Sequence, residues 1–291
     1  MIEYTPWDDG GGGVRMGLTP ITTDRWLQQP HDFIARLQQR RVLVQYRMND
    51  VFARLPGDQT DRALEEVAAL INAAAEPARA GADAEIAQSP SPLRPDAGAS
   101  AQANARFLSA GLNACEDLCV LLPDGDDYRL HAALLCAPSF WFLQQKLGLP
   151  LLGIHAPVAA LEQKIGARIR AFLRNMPTDR VFARGNWHLH NTADLFHPQP
   201  DDWTKARALT AENIAQRLWL RCERQTLRKL AHSHAILFTI LVYVNPLAEL
   251  ALRPELAQQL WRAYANMPQE EREARHFAAF GAQLQAWVQQ L

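Results

Sequence analysis

The segments WLRCERQTL, residues 219–227, and AILFTILVYV, residues 235–244, carry the pattern that decides the fold. Successive side chains of a β-strand point to opposite faces. With that alternation, the second segment has one wholly apolar face, and the first presents Arg224 among small or apolar neighbours. The faces of the first segment are Leu220, Cys222, Arg224 and Thr226 on one side, and Trp219, Arg221, Glu223 and Gln225 on the other. Both segments are therefore predicted to be strands.

Three further segments complete a predicted five-stranded sheet. Residues 118–122 and 128–136 flank the turn signal PDGDD, which predicts a β-hairpin. Residues 186–190 are the third predicted strand in chain order. Helical patterns cover residues 138–147 and 161–176, so a helical block separates strands two and three.

This order of elements predicts an α+β fold and argues against a doubly wound parallel sheet, because strands and helices do not alternate. It is the layout of a PAS domain, with a five-stranded antiparallel sheet and helices inserted between strands two and three. Residues 61–75 show one apolar helical face, and residues 254–266 and 270–290 are typical of helices. Helical segments are therefore expected at both ends of the chain.

A change in composition marks the expected domain boundaries. Residues 76–101 contain eight Ala, four Pro and two Gly, which predicts a flexible linker or loop. An N-terminal extension and helical segment, residues 1–75, precedes it. The PAS-like domain is expected over residues 102–250, with C-terminal helices packing on it over residues 251–291.

The bulk composition narrows the classes of function. The chain has 30 basic and 31 acidic side chains among 291 residues and no basic stripe, so no nucleic-acid partner is expected. No apolar run approaches the ~20 residues that cross a bilayer, and the N-terminus lacks a secretory pattern. The four cysteines form no CxxC pair. We therefore expect reduced thiols and a cytoplasmic protein without a membrane partner.

His155 is the first candidate site residue. It follows an apolar stretch and precedes Pro157, which stiffens the segment. A neutral imidazole in such a loop is suited to ligate haem iron. A buried structural histidine bonded to a backbone carbonyl is the alternative.

Arg224 is the second candidate, because a charge among apolar neighbours needs a partner. It could hold a haem propionate, polarise bound oxygen or pair with a carboxylate. The alternative is a structural salt bridge to Glu116 or Asp117.

Other residues give weaker signals. Asn186 and Trp187 could line a pocket or simply open a strand. The pairs His188 with His190 and His232 with His234 could bind a metal, although no third ligand lies near either pair in the sequence.

Taken together, these segments resemble the family of the haem-binding α subunit of haem-dependent oxidative N-demethylase. The resemblance runs along most of the chain. It is carried by MGLTP (16–20), EDLCVLL (116–122), PSFW (138–141), KLG (146–148), IHAPV (154–158), NW (186–187), RCERQTLR (221–228) and AILFTI (235–240).

The resemblance implies a PAS fold that binds haem b and an oxidation of an N-methyl group of a small secondary amine by oxygen, with release of formaldehyde. It also implies partner subunits, namely a flavin and iron–sulfur reductase and a folate-binding subunit. The chain departs from the family pattern at Cys115, at residues 229–231 and near residues 270–280. These departures bear on the substrate rather than on the fold.

Carried over by position, His155 becomes the expected axial ligand of the haem iron. Arg224 and Glu223 become the expected catalytic residues, with Gln225 beside them, and Arg224 is also a candidate for contact with the cofactor. The remaining expected cofactor contacts are Trp141, Asn186 and Trp187. Two other functions stay open, a PAS haem protein that senses oxygen or another gas without catalysis, and a haem-free PAS-like interaction protein.

Overall fold

The structure, a computed structural model, describes residues 2–7, 16–79, 98–154, 165–200 and 208–291. Its element order is α+β, as predicted. None of the described helices is both long enough and apolar enough to cross a membrane.

One antiparallel sheet of seven strands forms the centre of the protein. The strands are β1 Thr19–Ile21, β2 Phe52–Arg54, β3 Asp117–Asp124, β4 Asp127–Leu134, β5 Val181–His190, β6 Trp219–Lys229 and β7 Ile236–Pro246. Their order across the sheet is β1-β5-β6-β7-β3-β4-β2. The five predicted strands are therefore the middle five.

The prediction of five strands was wrong in number, because β1 and β2 extend the two edges of the sheet. β1 pairs with β5, and β2 pairs with β4. Each has only three residues, which is too short for an alternating pattern to be visible in the sequence.

Eleven α-helices surround the sheet in the described part of the chain. They are α1 Phe33–Tyr46, α2 Met48–Val51, α3 Asp58–Arg79, α4 Ala99–Gly111, α5 Leu143–Lys146, α6 Leu151–Ile154, α7 Ala167–Asn175, α8 Ile214–Arg217, α9 Pro254–Ala265, α10 Gln269–Ala274 and α11 Gly281–Val288. Helices α5, α6 and α7 lie between β4 and β5 in the chain, where the inserted helices were expected.

Several predicted helix boundaries need correction. Residues 138–147 form a helix only over α5, because Phe140 has a φ of 65° and a right-handed helix cannot pass through it. His276, at a φ of 57°, likewise separates α10 from α11. Of the predicted linker, residues 80–97 lie outside the described residues, and its two ends adjoin α3, which ends at Arg79, and α4, which begins at Ala99.

The two faces of the sheet have different surroundings. The helix face, which includes Leu118, Cys222 and Leu237, packs against α3, α4 and the C-terminal helices. The opposite face, here called the cavity face, includes Cys119, Glu223 and Phe238 and looks towards the inserted helices α5 and α6.

A buried ion pair connects α1 to the sheet. Arg40 Nη1 lies 2.9 Å from Asp117 Oδ1, and both side chains are almost fully buried. Asp117 also accepts the backbone N–H groups of Cys136 (2.7 Å) and Ala137 (2.8 Å), which follow β4. Arg40 donates to the carbonyl of Gly111 at the end of α4. This pair therefore joins α1, α4, β3 and the segment after β4.

We predict that Arg40→Ala destabilises the protein by about 3–5 kcal/mol, because it leaves the Asp117 carboxylate buried without a counter-charge. Urea unfolding measures this loss. The matched control is Arg106→Ala, which breaks an exposed pair with Glu65 and should cost no more than about 1 kcal/mol. Equal losses in the two variants would contradict the role given to the buried pair.

Candidate functional site

A cavity of about 560 Å³ lies between the cavity face of the sheet and the inserted helices. Its size falls within the range of about 300–1,000 Å³ that is usual for ligand pockets. One part of its wall is apolar, with Leu121, Leu130, Leu135, Leu151, Phe238 and Ile240. Another part is polar, with Ser139, Asn186, His188, Glu223, Gln225 and Arg275. The cavity therefore suits a ligand that has both apolar and polar parts.

Glu223, on strand β6, is a carboxylate of the cavity wall that accepts three side-chain hydrogen bonds. Its Oε1 accepts the hydroxyl of Ser139 at 3.1 Å. Its Oε2 accepts Asn186 Nδ2 at 3.3 Å and Gln225 Nε2 at 2.8 Å. Three neutral donors therefore converge on this carboxylate and fix its orientation.

Arg221 lies behind Ser139 and is only 2% exposed. Its Nε donates to Ser139 Oγ at 2.7 Å, and its Nη2 donates to the carbonyls of Ala137 (2.7 Å) and Pro138 (3.2 Å). Since Ser139 Oγ accepts from Arg221, its own proton is free to point at Glu223. Arg221 thereby sets the direction of one of the three bonds to Glu223.

The segment after β4 forms a wall of the cavity and is held from two sides. Asp117 accepts hydrogen bonds from its backbone N–H groups on one side. Arg221 donates hydrogen bonds to its backbone carbonyls on the other. Phe140 then turns with a positive φ, and its ring stacks on His190 with 4.4 Å between centroids. This turn brings Trp141 into the cavity wall.

His188 contributes a neutral imidazole to the cavity. Its Nδ1 lies 2.9 Å from the carbonyl of Leu189, and a carbonyl only accepts, so Nδ1 carries the proton and Nε2 the lone pair. Burial, with a smaller contribution from the charge of Arg275, lowers the pKa of His188 to about 3. The ring therefore stays neutral near pH 7. A histidine fixed through Nδ1 in this way is chemically suited to ligate a metal through Nε2.

The C-terminal region covers one side of the cavity through Arg275, next to α10. Arg275 Nη1 donates to the carbonyl of Trp187 at 2.7 Å and to Asn186 Oδ1 at 3.2 Å. Its Nη2 lies 2.9 Å from Glu271 Oε1. Arg275 thus connects α10 to β5. Asn186, which accepts from Arg275, in turn donates a hydrogen bond to Glu223.

The structure brings together some of the predicted site residues. Glu223, Asn186 and Trp141 all line the cavity, as does Gln225. His155 lies outside the described residues. Ile154, which precedes it in the sequence, lines the cavity, and its carbonyl accepts Lys146 Nζ at 2.8 Å.

Arg224 and Trp187 are on the helix face, as the alternation of β6 predicted for Arg224, and they are not among the residues that line the cavity. Arg224 donates to the carbonyls of Trp26 (2.8 Å) and Arg25 (2.5 Å). Trp187 is buried and stacks on Phe277 at 5.2 Å. The reason is the alternation of a strand, which sends consecutive residues to opposite faces.

Sequence reasoning missed Ser139, Arg221 and Arg275 as parts of the site. The alternation of β6 already placed Arg221 on the face of Glu223, so a signal existed for that residue. Ser139 and Arg275 lie outside the strands, and only the folded chain brings Ser139 to Glu223 and Arg275 to Asn186. Within the described ranges, no group of three or more His, Cys, Asp or Glu side chains is arranged to hold a metal ion, so the histidine pairs considered from the sequence gain no third ligand there.

The geometry defines an α+β protein with a ligand-sized cavity between an antiparallel sheet and inserted helices. The sequence model of the family described as "Haem-dependent oxidative N-demethylase, alpha subunit-like" matches residues 82–285. The chain belongs to this family, and the resemblance seen in its motifs is confirmed. The alpha-subunit-like description implies a complex of several subunits.

The residues around the cavity fit a haem group. The leucine, isoleucine and phenylalanine side chains provide an apolar surface for a macrocycle. His188 offers a neutral nitrogen of the kind that ligates iron. Lys146 is a cation in the wall that suits a carboxylate group, whereas the charge of Arg275 is already paired with Glu271.

We predict that Arg275→Ala loosens α10 without unfolding the sheet, because the variant loses the bonds to Trp187, Asn186 and Glu271. Charged hydrogen bonds contribute about 1.5–3 kcal/mol each, so amide exchange in α10 should accelerate by at least about tenfold. Hydrogen exchange with mass spectrometry measures this change. The control is Arg272→Ala, which loses one hydrogen bond to the carbonyl of Ala265 and a cation–π contact with the ring of Tyr264. Unchanged exchange in Arg275→Ala would contradict the anchoring role.

Proposed function

We propose that this chain is the haem-binding subunit of an oxidative N-demethylase and that haem b binds in the cavity. The substrate would be a small secondary amine whose N-methyl group is oxidised with oxygen to formaldehyde. The observation that carries the proposal is the cavity itself, which is ligand-sized, apolar on one part of its wall and polar on another. It lies within a chain whose family membership is shown over residues 82–285.

The fold proposed for this subunit is PAS-like. In its support, the middle five strands have the order β5-β6-β7-β3-β4, with the hairpin β3–β4 beside the last strand in the chain. Helices α5, α6 and α7 lie between β4 and β5, which are the second and third of these five strands in chain order. The edge strands β1 and β2 would then be additions to that core.

His155 is the proposed axial ligand, on the strength of the IHAPV motif that it shares with the family. Its sequence neighbour Ile154 lines the cavity and is held by Lys146, which supports this choice. His188 is the second imidazole to consider. When bound, haem would supply the redox centre that activates oxygen.

The protein's own residues have distinct proposed roles. The apolar wall excludes water from the cavity, and Glu223 provides the polar contact on the substrate side. Arg224, on the other face, holds the backbone of Trp26, whose indole donates to Thr226 at 3.1 Å. We therefore assign Arg224 a positioning role in place of direct contact with cofactor or substrate.

The reaction requires partners. Conversion of one N-methyl group and one O₂ to amine, formaldehyde and water consumes two electrons and two protons. We propose that a flavin and iron–sulfur reductase subunit supplies the electrons and that a folate-binding subunit takes up the formaldehyde. A cytoplasmic location is proposed with them.

We predict that the purified protein shows a Soret band and that His155→Ala loses it, because the iron loses its axial nitrogen. Absorption spectra at equal protein concentration measure the change. His188→Ala is the matched comparison within the cavity, and His232→Ala is the exposed control.

If His188→Ala loses the band and His155→Ala keeps it, His188 and not His155 is the axial ligand. If wild-type protein reconstituted with haem shows no Soret band, the haem proposal fails and a haem-free interaction protein is the better description.

We predict that the haem-loaded protein releases formaldehyde from dimethylamine when it is given oxygen and a surrogate reductant. A formaldehyde assay follows the product, and an anaerobic sample is the control because the reaction consumes oxygen. A Soret band without formaldehyde would contradict the enzyme and favour a non-catalytic haem sensor.

A further inference from the structure

The acceptor capacity of Glu223 is not used up by the protein. A carboxylate has about four lone-pair sites. Ser139 occupies one at Oε1, and Asn186 and Gln225 occupy two at Oε2. Glu223 is only partly buried and lines the cavity, so the remaining site at Oε1 is available to a ligand.

The neighbouring amides offer a second acceptor. Gln225 Nε2 donates to Glu223, and a carboxylate only accepts, so the amide orientation of Gln225 is determined. Its carbonyl oxygen receives no hydrogen bond from the described residues, and Gln225 also lines the cavity. Asn186 differs, because its oxygen already accepts from Arg275. Glu223 and Gln225 therefore each keep a free acceptor and lie two residues apart on β6. Glu271, which also lines the cavity, has a further acceptor at Oε2 that receives no hydrogen bond from the described residues.

The charges around the cavity select the ligand class. Glu271 is paired with Arg275, and Lys146 is bonded to the carbonyl of Ile154. Glu223, in contrast, is bonded directly to three neutral groups, a hydroxyl and two amides. Arg221 lies one hydroxyl further back, on the protein side of Ser139. The cavity side of Glu223 thus presents a negative charge, which attracts a cation and repels an anion.

We propose that Glu223 and Gln225 form a binding site for a small protonated amine that carries at least one N–H group. Such a cation supplies both the charge and the donor that Glu223 lacks on its cavity side. Its alkyl groups would extend towards the apolar wall formed by Phe238 and Ile240. This inference rests on the proposed function, because it identifies how that cavity recognises an amine.

Ser139 is a positioning residue in this site, and Arg221 acts through it. Arg221 Nε donates to Ser139 Oγ at 2.7 Å, and Ser139 donates to Glu223 Oε1 at 3.1 Å. The Ser139 hydroxyl holds Glu223 Oε1 so that its second lone pair faces the cavity. Without this hydroxyl, the carboxylate would no longer be held in that orientation. Ser139 therefore influences amine binding although it does not contact the amine.

The test is isothermal titration calorimetry of the purified protein at constant ionic strength. The sample keeps whatever haem it carries after purification. Dimethylammonium chloride is the probe. Tetramethylammonium chloride has the charge without an N–H donor, and dimethyl ether has the same heavy-atom shape without the charge. We expect dimethylammonium to bind at least about tenfold more tightly than either comparison ligand, because only it offers a charged donor.

Glu223→Gln keeps the shape of the side chain and removes the charge, so it should weaken dimethylammonium binding by at least about tenfold. Ser139→Ala should weaken it severalfold, and Ser139→Thr, which restores a hydroxyl, should recover most of the loss. The matched control is Glu273→Gln, an exposed carboxylate on α10 that is bonded to Gln269. It should bind like the wild type.

The Soret band of the same samples separates this inference from the proposed function. Dissociation constants for Glu223→Gln within twofold of the wild type would overturn the amine site, whether or not haem is present. Equal binding of dimethylammonium and tetramethylammonium would also overturn it. Selective amine binding that depends on Glu223 in a protein without a Soret band would support the site and defeat the haem proposal alone.

Discussion

The wall of the cavity depends on two buried charges of opposite sign that hold the segment after β4. Asp117 accepts the backbone N–H groups of Cys136 and Ala137, and Arg221 donates to the carbonyls of Ala137 and Pro138. A buried charge is tolerated only when such bonds satisfy it. Each charge therefore needs the segment in place, and the segment in turn positions Ser139 and Trp141.

Strand β6 connects this wall to both layers of the protein. Its odd-numbered residues Arg221, Glu223 and Gln225 lie on the cavity face, where Glu223 and Gln225 line the cavity and Arg221 supports them through Ser139. Its even-numbered residues Arg224 and Thr226 face the helices, where both bond to the segment around Trp26. Because β6 pairs with β5 and β7 along its length, neither set can change faces without breaking the sheet.

The cavity combines features that the proposed haem-binding role requires. Its apolar wall suits a macrocycle, and its carboxylate is fixed by three donors. Arg275 completes the wall from the C-terminal region, so the site draws on elements far apart in the chain. The proposed reaction needs electrons from outside the chain, which agrees with a family described as alpha-subunit-like.

The sequence by itself determined the five central strands, because alternation and the PDGDD turn are local signals that burial on a sheet enforces. It also separated Glu223 from Arg224, although the motif made both look like one site. It did not determine the edge strands, the break at Phe140 or the contacts of Ser139 and Arg275. These depend on pairing and hydrogen bonds between residues distant in the chain, which only the tertiary structure decides, since no local pattern records which distant partner will satisfy a buried polar group.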